Sequence, residues 1–213
     1  MKLICFSNNT AGGLVCDLLN NKLPIMIDYK TDSVQHKVFK IDDSPTIITE
    51  ISDKNLLVWN ELVKKKKNLN LWYGTHYHPS CINLKDFKSV ICITTLTEKS
   101  KIYRWLRYYH GWFKSEYSNW VEDDTIEKID KIRELSKNVF VEFKPHPNCK
   151  NIEFEDIVNG KFVMENNLNQ TYFQQWKENN QWLYEENLEQ SWCVQRFFEA
   201  KWELETNQSF RYY

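Results

Sequence analysis

The chain has 213 residues, of which 42% are hydrophobic and 27% charged, and its formal net charge is −1. That fits one domain with a sizeable core, and it excludes a general nucleic-acid binder, because no global basic field exists and any anion site must be local. No run approaches the roughly 20 apolar residues of a membrane span, and Asn8 and Asn9 interrupt the first apolar run too early for a signal peptide, so a cytoplasmic protein is expected.

Lys2–Phe6 reads as a buried strand, and Ser7-Asn8-Asn9-Thr10 as a polar turn. Leu14, Val15, Leu18 and Leu19 then lie on one face of a helix over Ala11–Asn20. With a short strand at Ile25–Asp28 this is the βαβ opening of a parallel sheet. A further strand is expected at Lys37–Ile41 and a helix over Asn55–Lys66, capped by Ser52 or Asp53. Leu71–Gly74 reads as a strand ending in Thr75-His76-Tyr77-His78-Pro79, with a short helix near Leu84–Phe87. Ser89–Thr94 is the most apolar strand, and Thr97 and Glu98 open a long helix through Tyr109.

Asp123–Ser136 is an expected helix with Ile126, Ile129, Ile132 and Leu135 on its inner face. Val139–Phe143 alternates like a strand, ended by Pro145 and Pro147. Ile152–Phe154 reads as a strand and Glu155–Val158 as a helix start; from Asn167 onward the pattern is helical, marked by Trp176, Trp182, Trp192 and Trp202. The expected fold is α/β: one domain holding a parallel sheet with helices on both faces over residues 1–165, and a helical, Trp-rich extension over 166–213. With nine Trp, some rings are expected to line a groove or a partner surface. Six cysteines without a CxxC pair point to thiols in a reducing compartment, and no metal site is expected. The abundance of Lys, Asn and Ile is that of an AT-rich genome, as in a virus or a small marine microbe.

Three segments carry candidate chemistry. In Ser7–Gly13 a helix start aims N–H groups and a partial positive charge at an anion. Ser7, Asn8, Asn9 and Thr10 add side-chain donors, and Ala11, Gly12 and Gly13 let a ligand approach the backbone. No Walker lysine is present, and the plain alternative is a capped polar turn. At the C-terminal end of the next strand, His76 is a candidate general base and His78 a structural residue, the alternatives being a capping histidine or a surface turn. Thr94, Thr95, Thr97 and Ser100 are hydroxyls at another strand end, near the cations Lys99, Lys101, Arg104 and Arg107; the alternative there is a capped helix with a solvated face. Glu153, Glu155 and Asp156 read as a helix-start acidic cluster.

In order and spacing, Leu3–Leu19, Gly74-Thr75-His76-Tyr77-His78-Pro79, Val90–Phe113 and Ile152-Glu153-Phe154-Glu155-Asp156-Ile157 together resemble the sulfotransferase family, whose fold is P-loop-like. The resemblance covers roughly Lys2–Val163. It implies sulfuryl transfer from 3′-phosphoadenosine 5′-phosphosulfate to a hydroxyl of a small-molecule or carbohydrate acceptor, without metal, nucleic acid or membrane. Ser7–Gly13 would then hold the phosphosulfate, and His76 would take the acceptor proton. The family's 3′-phosphate contacts, a strand-end Arg and a helix Ser, fall on Thr94 or Thr95 and on Ser100. The family's loop carries a cation that this loop lacks, so Lys99 or Arg104 is expected to replace it. The competing expectation is a non-catalytic nucleotide- or phosphate-binding or host-interaction protein that keeps the fold. A kinase-like phosphoryl transferase lacks its Walker lysine and a magnesium-binding Asp.

Overall fold

A computed structural model of the chain describes residues 2–20, 72–76, 78–113, 125–140, 143–185 and 187–210. The strands expected at Ile25–Asp28 and Lys37–Ile41 and the helix at Asn55–Lys66 lie outside the described residues.

Strand β1 (Lys2–Phe6) carries an unbroken apolar run because both of its faces are covered. It sits between β2 (Trp72–Thr75) and β3 (Ser89–Thr94), and β4 (Lys150–Glu153) follows β3. The four strands are parallel in the order β2-β1-β3-β4. Register sets the faces. Ile4 pairs with Ile91, and Phe6 with Ile93 and through it Ile152, on one face; Leu3 pairs with Val90, and Cys5 with Cys92, on the other.

Helix α1 (Gly12–Leu19) follows β1, and α2 (Glu98–Tyr108) follows β3 after the Thr97 cap, whose hydroxyl accepts the Ser100 N–H at 3.0 Å. A π-helical turn, Tyr109–Phe113, continues α2. Next come α3 (Ile126–Ser136), α4 (Phe154–Val158), α5 (Lys161–Glu165), α6 (Gln170–Asn179) and α7 (Trp192–Thr206). Apolar residues of all these α-helices join the Ile4–Phe6 face in one continuous core. The opposite face carries a smaller cluster, in which Phe87, Phe143 and the partly buried Ile82 and Leu84 cover Leu3, Cys5, Val90 and Cys92. Helices on both faces were expected; among the described residues the α-helices collect on one.

The chain leaves the described sheet at Asn20 and returns at Trp72, where a clasp holds the two ends. Asn20 Nδ2 donates to the Trp72 carbonyl at 3.0 Å, and the Trp72 N–H donates to Asn20 Oδ1 at 2.9 Å. The side-chain amide thus completes backbone groups of β2.

Two local expectations need correction. Val139–Phe143 is no strand: Lys137–Phe140 is a 3-10 turn extending α3, residues 141–142 lie outside the described residues, and Phe143 pairs with no strand. Its apolar residues serve different clusters, Val139 on the helical face and Phe143 on the other. In α3, Ile129 and Ile132 are buried but Ile126 is 66% exposed. A spacing of three rotates about 60° per step against the helix, so Ile126 and Leu135 end on opposite sides.

The Trp-rich C-terminal part shares the sheet's core. Trp105 of α2 is fully buried and donates its indole N–H to the Cys193 carbonyl of α7 at 2.8 Å. Trp176 is buried, while Trp182 and Trp192 pack against the core. Trp202 is 39% exposed. Among the described residues no helix is long and apolar enough to cross a membrane.

Candidate functional site

Parallel strands carry the chain from the same end, so the loops after β1, β2 and β3 gather at one sheet edge. The next described strand after β1, β2, lies on one side of the β1–β3 pair, and the next after β3, β4, lies on the other. The C-terminal ends of β1 and β3 therefore flank the point where the strand order reverses, the place where open α/β sheets receive ligands.

The β1–α1 loop is tightly turned. Asn9 and Ala11 have φ of 67° and 55°, both left-handed. For Ala11, the residue before α1, that conformation costs about 1 kcal/mol or more, and no side chain caps the helix there. Thr10 is fully buried and donates its hydroxyl to the Ser7 carbonyl at 2.6 Å. Ser7 Oγ is buried with no hydrogen-bond partner among the described residues. Asn8 is exposed, and Gly13 is half-buried.

Gly12 serves the protein's own packing. A Cβ on it would lie 2.2 Å from the Phe6 ring. The same ring sits over Gly74, whose added Cβ would come within 2.9 Å of it. Phe6 also meets His76 edge to face, with ring centroids 4.6 Å apart. Phe6, which the motif reading passed over, is therefore the post around which loop, helix start and β2 end are arranged.

His76 is half-buried beside this post, with Nδ1 3.2 Å from the Phe6 carbonyl oxygen. A carbonyl only accepts, so Nδ1 carries a proton and donates it there. His78 is held differently. Its Nε2–H donates to the Lys144 carbonyl at 2.9 Å, and its Nδ1 accepts from the Ser80 N–H, capping a short 3-10 turn.

Of the two cations expected near the loop, Arg104 reaches it and Lys99 does not. Arg104 Nε donates to the Asn8 carbonyl at 3.2 Å and Nη1 to the Val139 carbonyl at 3.3 Å. Burial lowers the Arg104 guanidinium to about 10, which leaves it charged at neutral pH. Lys99 instead lies 3.9 Å from Glu155 Oε1 and over the Tyr103 ring.

The β3–α2 loop is already engaged by the protein's own carboxylate. Glu153, at the end of β4 opposite Thr94, accepts from Thr94 Oγ1 at 2.6 Å, from the Leu96 N–H at 2.8 Å and from the Thr97 N–H at 3.1 Å. Thr95 is fully buried, and its hydroxyl accepts the Phe143 N–H at 3.4 Å. Ser100 is fully buried too and accepts the Glu155 N–H at 2.9 Å, which caps α4. Thr94, Thr95 and Ser100 thus hold the protein's own groups together. The role of Glu153 was hidden because its sequence context reads only as an acidic helix start; the parallel register reveals it.

All six cysteines are free thiols, and burial, with Cys149 nearby, pushes Cys92 up to about 12. Such a thiol is no nucleophile at neutral pH. Among the described residues no group of three or more His, Cys, Asp or Glu is placed to hold a metal ion. Comparison with protein-family models, with curated proteins and with solved structures returns no match.

Proposed function

We propose that the switch-point crevice binds a small molecule through a phosphate or sulfate group seated on the Ser7–Gly13 loop. The observation that carries this reading is Ser7 Oγ, buried and without a partner among the described residues, in the loop that leads into a helix start no side chain caps. Buried hydroxyls are normally paired, and an anion oxygen would satisfy this one. Arg104 supplies the fixed positive charge that the loop itself lacks. Ser7→Ala is expected to leave stability unchanged or slightly raised, because it removes an unsatisfied group. The same change is expected to weaken sulfate, phosphate or adenosine 5′-monophosphate binding about tenfold, as read by the ligand-dependent rise in melting temperature. A wild-type melting temperature unmoved by all three ligands at millimolar concentration would refute the reading.

His76 favours a catalytic second reading, sulfuryl transfer to an acceptor hydroxyl. Its Nδ1–H donates to the Phe6 carbonyl and orients the ring, and in the neutral form the basic nitrogen is Nε2. In this reading Nε2 takes the hydroxyl proton as the oxygen attacks sulfur and the bond from sulfur to the donor's leaving oxygen breaks. With 3′-phosphoadenosine 5′-phosphosulfate as donor, the 3′-phosphate meets Thr94 already donating to Glu153 and the Thr95 and Ser100 side chains fully buried. His76→Ala is expected to lower transfer of labelled sulfate by about 100- to 10,000-fold. Its melting temperature should fall only slightly. Equal transfer by wild type and variant would remove His76 from the chemistry.

A further inference from the structure

We propose that Glu153 is the specificity-determining residue of this crevice, selecting ligands that are anionic at one end and carry free hydroxyls at the other. The inference rests on the anion site proposed above and names the class of molecule it takes.

The crevice is polarised. At the β1 side stand the orphan Ser7 hydroxyl and the Arg104 guanidinium. At the β4 side stands the Glu153 carboxylate, with Glu155 behind it accepting the Thr97 hydroxyl at 3.1 Å. Lys99 faces Glu155 from 3.9 Å and is itself 55% exposed, so it leaves the carboxylate side negative. Phe6 and Glu153 are register partners of neighbouring β3 residues, Ile93 and Thr94. Two strand spacings put the two ends about 10 Å apart, the scale of one small ligand.

A ligand with its anion on the first loop presents its far end to Glu153. The N–H groups of Leu96 and Thr97 that would greet a second phosphate already donate to this carboxylate. A second phosphate must therefore evict Glu153 or sit against it. A hydroxyl instead donates to it, forming a charge-assisted hydrogen bond. The favoured class is thus the monoester: a sugar or nucleoside monophosphate or monosulfate with its remaining hydroxyls free.

The test is calorimetric titration of the wild-type chain and of Glu153→Gln with two probes, adenosine 5′-monophosphate and adenosine 3′,5′-bisphosphate. Wild type is expected to bind the monophosphate at least about tenfold more tightly, because the second phosphate of the bisphosphate is set directly against the Glu153 carboxylate. Glu153→Gln is expected to erase the difference from both sides, improving bisphosphate binding and weakening the monophosphate, whose hydroxyl then meets a neutral amide. The wild-type ratio stands without the variant, should the variant fold poorly: equal wild-type affinities overturn the role of Glu153 while leaving the anion site intact. A persistent preference in a folded Glu153→Gln also overturns it. Binding of neither probe by wild type overturns the anion site, and the inference falls with it.

Discussion

Replacing Glu203 with alanine is expected to destabilise the protein by about 3 kcal/mol, the cost of removing one partner from a buried ion pair. The Glu203 side chain is only 9% exposed and joins three elements. It faces Arg133 of α3 at 3.2 Å, Lys137 at 2.9 Å, and the backbone N–H of Phe210 beyond α7 at 2.7 Å. Arg133 is 8% exposed, so the alanine variant takes one carboxylate from a buried guanidinium that keeps Asp130 at 2.6 Å. Desolvation pushes the Glu203 carboxyl up, but the Lys137 and Phe210 hydrogen bonds and the two cations outweigh it and hold the group below the usual range. A depressed folded-state pKa stabilises above the unfolded carboxylate value of about 4.3 and ceases to do so as pH falls through the folded value. Urea denaturation at pH 7 is expected to show the full difference between wild type and variant, shrinking in acid below pH 4 or so. A loss under about 1 kcal/mol at pH 7 would mean that α3 and α7 are held by apolar packing alone.

Gly12→Ala is expected to cost a similar amount, about 3 kcal/mol, for a steric reason. Glycine to alanine inside a helix usually helps. Here the new methyl would stand 2.2 Å from the Phe6 ring, and that ring is 5% exposed and wedged against Gly74. The ring has nowhere to go, so strand, loop or helix start must shift. Phe6→Leu in the same chain makes room, so the double variant is expected to lose less than the sum of the single changes. Strict additivity in urea melts would show that Gly12 and Phe6 do not meet. The pair also bears on any ligand experiment, because a bulky residue at Gly12 disturbs the fold before it touches a ligand.

Much of the fold is legible in the sequence, for local reasons. Leu3–Phe6 and Val90–Ile93 are uninterrupted apolar runs, and that is what a strand covered on both faces requires. Thr97 before Glu98 is a helix cap by its own chemistry, and its hydroxyl does accept the Ser100 N–H. The helix after Gly12 follows from the spacing of Leu14, Val15 and Leu18, all buried. Val139–Phe143 misleads because alternation signals a strand only when one face stays on one core, and this segment divides its apolar residues between two.

The candidate site divides along the same line. Its ingredients, Ser7, His76, Arg104 and the strand ends that carry them, come from segments whose local patterns are strong. Their meeting does not. Arg104 touches the Asn8 carbonyl across 96 residues, and Glu153 meets Thr94 across 59. Parallel register sets the Glu153 contact and the packing of α2 beside the first loop sets that of Arg104, and both depend on which faces the whole core covers. The sequence by itself determined that a strand, a polar loop and a helix start would lie together, since each is specified by neighbours within a few residues. Only the tertiary structure decided that Gly12 faces the protein's own Phe6, that Arg104 brings charge to the loop, and that a carboxylate engages the N–H groups of the neighbouring one. Those outcomes turn on distances between residues far apart in the chain, which no local pattern encodes.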